Sequence, residues 1–205
     1  MAYRDGLALQ AARIEARRAG RVPDTLYLLE HPDVITFGTG SDPSHLLASE
    51  RELQTLGIEV FETGRGGDVT YHGPGQLVGY PILDLKPDRK DLHRYLRDLE
   101  GVLIRALATF GIAASREPGL TGVWTASGKI AAIGVRVSSG WITSHGFALN
   151  VRPDLGRFGT IVPCGIADRA VTSMARELGG APPMDEVEAA VVEAFAAEFG
   201  ARGAG

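Results

Sequence analysis

The sequence predicts a mixed α/β fold: a largely antiparallel or mixed sheet with helices packed on it. Helical periodicity marks both ends of the chain and one long central segment, while strand-like runs cluster between them. The last two strand runs are separated only by Ser138-Ser139-Gly140, a hairpin connection that makes them antiparallel neighbours. Strands and helices do not alternate one for one, as a doubly wound parallel sheet would require.

Taken in order, residues 2–19 read as an amphipathic helix, with Leu7, Ala11, Ile14 and Ala16 near one face and Arg13, Arg17 and Arg18 largely on another. Strand signals follow at 25–30, 34–37 and 58–62. Residues 65–80, RGGDVTYHGPGQLVGY, begin with a glycine-rich turn, after which Asp68, Thr70 and His72 alternate with Val69 and Tyr71, placing the polar set on one strand face. Gly73-Pro74-Gly75 then forms a turn into a buried strand that carries Leu77, Val78, Tyr80, Ile82 and Leu83. Asp91 is placed to cap a long helix in which Leu92, Tyr95, Leu96, Leu99, Leu103 and Ala106 recur at spacings of three and four. Strands resume at 122–125, 129–137 and 141–151. An irregular stretch, 152–165, carries Cys164 to the sheet surface, and helices at 171–178 and 184–199 close a single domain over residues 1–205.

Bulk properties narrow the function. An apolar fraction of 44% with 22% charged residues is ordinary for a globular domain. A net charge of -4 argues against a nucleic-acid binder, and no apolar run reaches the ~18 residues of a membrane span. The N-terminal residues lack the basic start and purely apolar stretch of a secretory signal. With one cysteine, Cys164, the chain forms no internal disulfide and no cysteine-based zinc site, and a cytoplasmic location is expected.

Familiar motifs fail. The segment from Gly122 to Lys129 has the wrong spacing for a phosphate-binding loop, and Ile130 stands where Ser or Thr is needed. Val78 occupies the third glycine position of a dinucleotide fingerprint. The histidines His31, His45, His72, His93 and His145 show no zinc-hydrolase pattern. On its residues alone, 65–80 fits either a pocket wall or a glycine-rich hairpin around a hydrogen-bonded core histidine. Cys164, between Pro163 and Gly165, is by the same standard either a small buried apolar residue or a nucleophile. Lys129, at the start of a strand, is either solvated or a partner for that thiol. Free cysteine is only about 3% thiolate near neutrality, and an adjacent ammonium raises that fraction.

At the level of whole motifs, RGGDVTYHGPGQLVGY resembles the signature of the lipoyl(octanoyl) transferases. Three further segments agree in order: 128–134 (GKIAAIG), 144–150 (SHGFALN) and 161–166 (IVPCGI). The resemblance implies a catalytic domain similar to those of biotin and lipoate protein ligases, a mixed sheet with helices and a smaller second sheet. It implies a two-step transfer in which Cys164 takes octanoyl from octanoyl-acyl carrier protein as a thioester, and a lipoyl-domain lysine then displaces it. Lys129 would favour the Cys164 thiolate and accept a proton from the incoming amine.

By the same correspondence the acyl pocket would be lined by Arg65, Gly66, Gly67, Asp68, Val69, Thr70, Tyr71 and His72, by Ala132, Ile133 and Gly134, and by His145, Gly146, Phe147 and Ala148. Backbone amides at glycines 66, 67, 134 and 146 would approach the thioester oxygen. His72 and His145 either position the acyl carbonyl or Lys129, or serve as structural hydrogen-bonding groups. No cofactor or metal is implied. The expected acceptors are the lipoyl domains of 2-oxoacid dehydrogenase complexes and the glycine cleavage H protein, and a monomer is expected. The rival readings are an ATP-dependent lipoate or biotin ligase, a non-catalytic module that binds lipoyl domains or carrier proteins, and a thioesterase.

Overall fold

The structure, a computed structural model, describes residues 1–162 and 170–200. Its elements are α1 (Tyr3–Arg18), β1 (Thr25–Leu29), β2 (Val34–Phe37), α2 (Glu50–Leu56), β3 (Glu59–Glu62), β4 (Thr70–His72), β5 (Gln76–Ile82), α3 (Leu92–Ala108), β6 (Val123–Thr125), β7 (Gly128–Val137), β8 (Thr143–Asn150), α4 (Met174–Leu178) and α5 (Met184–Phe199). The main sheet runs β1-β5-β8-β7-β6 with every pair antiparallel. A second sheet runs β3-β2-β4, where β2 and β3 are parallel and α2 forms part of their connection. The sheet is thus mixed only in the smaller unit.

The main sheet separates two environments. Leu77, Ile133, Phe147 and Leu149 face α3 and α5, packing with Tyr95, Leu99, Leu103, Val187, Val191 and Phe199 into the principal core. Val78, Tyr80 and Ala148, one residue out of phase, form a smaller cluster apart from it. The second sheet has its own core of Ile35, Leu53, Ile58, Val69, Tyr71, Phe158 and Ile161. The two sheets are joined where the Gly66 amide donates to the Val135 carbonyl at 2.8 Å, which sets the 64–69 loop against β7.

Asp91 caps α3 by accepting from the Arg94 amide at 3.0 Å. The first helix turns differently from its hydropathy pattern. Tyr3, Gly6 and Gln10 are its buried residues, and Arg13 and Arg17 continue that face by binding the Tyr27 hydroxyl and the Asp24 carboxylate. Leu7, Ile14 and Ala16 are only half-buried and Ala11 is exposed. Polar partners at Asp24, at Tyr27 on β1 and at the His145 amide within β8 hold this face of α1.

Candidate active site

A cavity of about 220 Å³ opens on the main-sheet face away from α3 and α5. Its sheet wall consists of small or apolar residues on three adjacent strands: Ala132 and Gly134 on β7, Gly146 and Ala148 on β8, and Val78 on β5. Ala132 pairs with Ala148, and Gly134 with Gly146, so small side chains meet small ones across the ladder and leave a trough. The opposite wall comes from Arg65, Gly67, Asp68, Val69, Thr70 and His72. Ile133 and Phe147 border the cavity while belonging mainly to the helix-side core. Lys129 lies on the same cavity, together with Gly119, Leu120 and Thr121.

Two residues expected in the lining are placed elsewhere. Tyr71 faces the second core, its ring edge-on to Phe158 at 5.2 Å and its hydroxyl donating to Asp33. Strand alternation explains this, because Tyr71 has the opposite phase to Thr70 and His72. Gly66 does not border the cavity, and its amide, engaged by Val135, is not available to a thioester oxygen. Cys164 lies outside the described residues. The chain approaching it is fixed at Val162, whose amide donates to the His45 carbonyl at 2.8 Å, and the chain leaving it is fixed at Ala170, whose carbonyl accepts from Lys129.

Arg65 is a strut. Its Nε and Nη2 reach the Thr36 hydroxyl at 3.1 and 2.9 Å, Nη2 also reaches the Thr36 carbonyl, and Nη1 reaches the Gly66 carbonyl at 3.1 Å. These bonds shape the glycine-rich turn from within. Asp68 does the same on the outer side, accepting from the Val69 and Asp42 amides and pairing with His45.

The histidines on the cavity are held neutral. His72 is pushed down to about 3 by burial, and the nearby Arg65, His31 and His145 add to the effect against the opposing hydrogen bond to Gln76. His145 is pushed down to about 4 by burial and by Arg65 and Arg136. The tautomer of His72 follows from its partners. The Gln76 amide nitrogen donates to Asn150 Oδ1 at 2.9 Å, so Gln76 Oε1 is the atom that accepts from His72 Nδ1–H at 2.7 Å. Asn150 in turn donates to the Thr172 carbonyl at 3.0 Å, and the Thr172 amide donates to the Lys129 carbonyl at 3.0 Å. A chain of buried hydrogen bonds therefore links His72 to the backbone of Lys129.

Sequence reasoning missed Tyr3, Tyr80 and the 119–121 loop, all of which border the cavity. Tyr3 stacks on His72 with ring centroids 6.3 Å apart, and the Tyr80 hydroxyl donates to His31 Nε2, because His31 Nδ1–H is directed at the Met1 carbonyl. The only available signal was the aromatic character of Tyr3 and Tyr80; their convergence depends on tertiary packing. Among the described residues no cluster of His, Asp or Glu is arranged to hold a metal, and no helix is long and apolar enough to cross a membrane.

Fold and cavity together define an α/β domain with a largely apolar trough bordered by a buried lysine. The family described as the lipoyl protein ligase A/B catalytic domain matches residues 2–196. The chain is 56% identical over 194 residues to the octanoyltransferase of Rubrobacter xylanophilus, covering 94% of this chain and 87% of that one. It is 50% identical over 202 residues to the octanoyltransferase of Chloroflexus aggregans, covering 98% and 91%. Among solved structures, it resembles a lipoate-protein ligase A bound with ATP (TM-score 0.73, 17% identity, 86% of this chain and 73% of that one). It also resembles the putative lipoate protein ligase Ta0514 of T. acidophilum with bound lipoic acid (TM-score 0.72, 15% identity, 93% and 80%). At these identities the structural likeness speaks to the fold. The chain belongs to the octanoyltransferases of the lipoyl protein ligase A/B catalytic-domain family, and it is an acyltransferase.

Proposed function

We propose that the chain moves an octanoyl group from octanoyl-acyl carrier protein to a lysine of a lipoyl domain through a thioester on Cys164. The observation that carries this reading is the position of Lys129, buried at the border of a trough whose sheet wall suits an aliphatic chain. In the first step the Cys164 thiolate attacks the donor carbonyl carbon, a new carbon–sulfur bond forms as the donor's carbon–sulfur bond breaks, and the departing carrier thiolate takes a proton from the Lys129 ammonium, which leaves Lys129 neutral. In the second, the acceptor amine attacks the Cys164 thioester, the carbon–nitrogen bond forms, and the cysteine sulfur departs. The proton released by the amine passes to neutral Lys129, which as an ammonium then stabilises the freed thiolate.

Covalent transfer suits a site that two protein partners visit in turn. The six methylenes of an octanoyl chain, at about 0.8 kcal/mol each, offer roughly 5 kcal/mol of binding when the trough covers them. Val69, Val78, Ala132 and Ala148 would cover them, and neutral His72 and His145 would add no charge to that surface. The acceptors are the lipoyl domains of 2-oxoacid dehydrogenase complexes and the glycine cleavage H protein, modified in the cytoplasm by a monomer that uses no cofactor.

The test mixes the chain with octanoyl carrier protein and an apo lipoyl domain in the absence of ATP. Octanoylation of the domain is expected. Modification that appears only with free octanoate and ATP would replace this reading with that of a ligase, and free octanoate as the main product would make the chain a thioesterase.

A further inference from the structure

Glu100 sits in the middle of α3, between Leu99 and Gly101, and is fully buried. A carboxylate there is costly unless it is fully paired, and it is: Oε2 accepts from Arg97 Nη1 at 2.6 Å and from Arg116 Nε at 3.0 Å, and Oε1 accepts from the Gly122 amide at 3.1 Å. Arg116 is itself anchored to the Arg97 carbonyl at 2.8 Å. Both arginines bind Oε2, and the Gly122 amide satisfies Oε1, which ties the buried carboxylate to the 119–122 loop.

Gly122 has φ +128°, and a Cβ built on it would lie 2.6 Å from Lys129 Cε and 2.7 Å from the Ala131 carbonyl oxygen. The loop backbone is therefore pressed against the methylene stem of Lys129. Trp124, two residues on, has its ring centroid 5.2 Å from Lys129 Nζ. Leu120 and Thr121, just before Gly122, border the cavity. The Glu100 carboxylate thus fixes one strip of chain that shapes the cavity edge and confines the lysine.

We infer that Glu100 is a positioning residue for Lys129, acting through the Gly122 amide to hold the 119–122 loop against the lysine stem. The consequence for acyl transfer rests on the reading of Lys129 given above, whereas the clamp itself does not.

The experiment compares wild type with Glu100→Gln, Glu100→Ala, Gly122→Ala and Arg105→Ala, each kept below its melting transition. Lysine amines are reductively methylated and read by peptide mass spectrometry, with Lys86 and Lys90 as internal references. Loss of a charge-assisted hydrogen bond changes a local opening equilibrium by roughly tenfold, so Lys129 should be labelled about tenfold faster in Glu100→Ala and by an intermediate factor in Glu100→Gln. Arg105→Ala removes an ion pair to Glu198 from the same helix and should leave the relative labelling of Lys129 unchanged.

In the transfer assay the Glu100 variants and Gly122→Ala should lose kcat, about tenfold or more, with little change in KM for the donor, the pattern of a misplaced group. Equal Lys129 labelling in wild type and both Glu100 variants would overturn the inference. So would faster labelling in Arg105→Ala to the same extent, since that would mark general loosening. If Glu100→Ala does not fold, Glu100→Gln carries the comparison. Should wild type fail to transfer octanoyl at all, the functional reading falls and the labelling result still decides the clamp.

Discussion

The main-chain amide of Lys129 donates to the carbonyl of Ala170 at 2.9 Å, so the first residues of β7 are joined to the chain that returns from Cys164. Thr172 adds a second bond to the Lys129 carbonyl at 3.0 Å. Contact this close leaves no room for a side chain at residue 128: a Cβ on Gly128, where φ is +142°, would lie 2.3 Å from the Ala170 oxygen.

Gly128→Ala should therefore separate the two segments and move Lys129. Backbone strain of this kind costs about 1–3 kcal/mol. A fall in melting temperature together with a loss of octanoyl transfer larger than the loss of folded protein is expected. Normal specific activity in the folded fraction would show that the join does not position the lysine.

The trough itself can be tested by filling it. Ala148 lies on the sheet wall opposite Ala132, and Ala148→Leu places three more carbons in the space assigned to the acyl chain. At about fourfold per methylene displaced, transfer from the octanoyl donor should fall on the order of fifty-fold, while a butyryl donor is much less affected. Equal losses for both donors would place the acyl chain elsewhere.

Stability should depend on the buried histidines. His72 and His145 titrate at about 3 and about 4 in the folded protein, against about 6.5 in an unfolded chain. Between those values the unfolded chain binds more protons than the folded one. Their contribution is therefore complete above about pH 6.5 and is lost as the pH falls towards 4 and then 3. Urea midpoints measured from pH 8 to pH 4 should drop most steeply below 6.5, and His145→Gln should flatten that slope. A wild-type profile that is level from 7 to 5 would contradict the burial of both rings.

His145 also has a left-handed backbone, φ 55°, within β8, and its amide donates to Gln10 Oε1 at 2.7 Å. Removing the acceptor with Gln10→Ala leaves a buried N–H unpaired, a cost of about 1–3 kcal/mol. The expected result is a lower melting temperature and a raised KM for the octanoyl donor, because His145 borders the cavity. A drop in stability with unchanged KM would confine Gln10 to a structural role.

Much of this architecture was legible because local signals agreed. The Asp91 cap, the antiparallel pairing of the two strands around Ser138–Gly140 and the apolar run of β5 were each specified without help from distant residues, although the connection extends to residue 142. The helix α2 was missed although Ser49 and Glu52 form a capping box, a signal present in the sequence. The buried face of α1 was not readable from hydropathy, because the half-buried Arg13 and Arg17 are bound by Tyr27 and Asp24, partners set only by tertiary packing. At the cavity, motif correspondence took in the whole 65–72 stretch, whereas alternation within β4 turns Tyr71 to the second core. Glu100 and Gly122 reach Lys129 only through the folded path of the chain, so no spacing in the sequence links them.

The most direct test of the account is the intact mass of the chain after brief exposure to octanoyl carrier protein, with peptide mapping, for wild type and Cys164→Ser. An octanoyl increment on wild type, located at Cys164 and discharged by an apo lipoyl domain, is the predicted result. Octanoylation of the lipoyl domain by Cys164→Ser at the wild-type rate would contradict the thioester account.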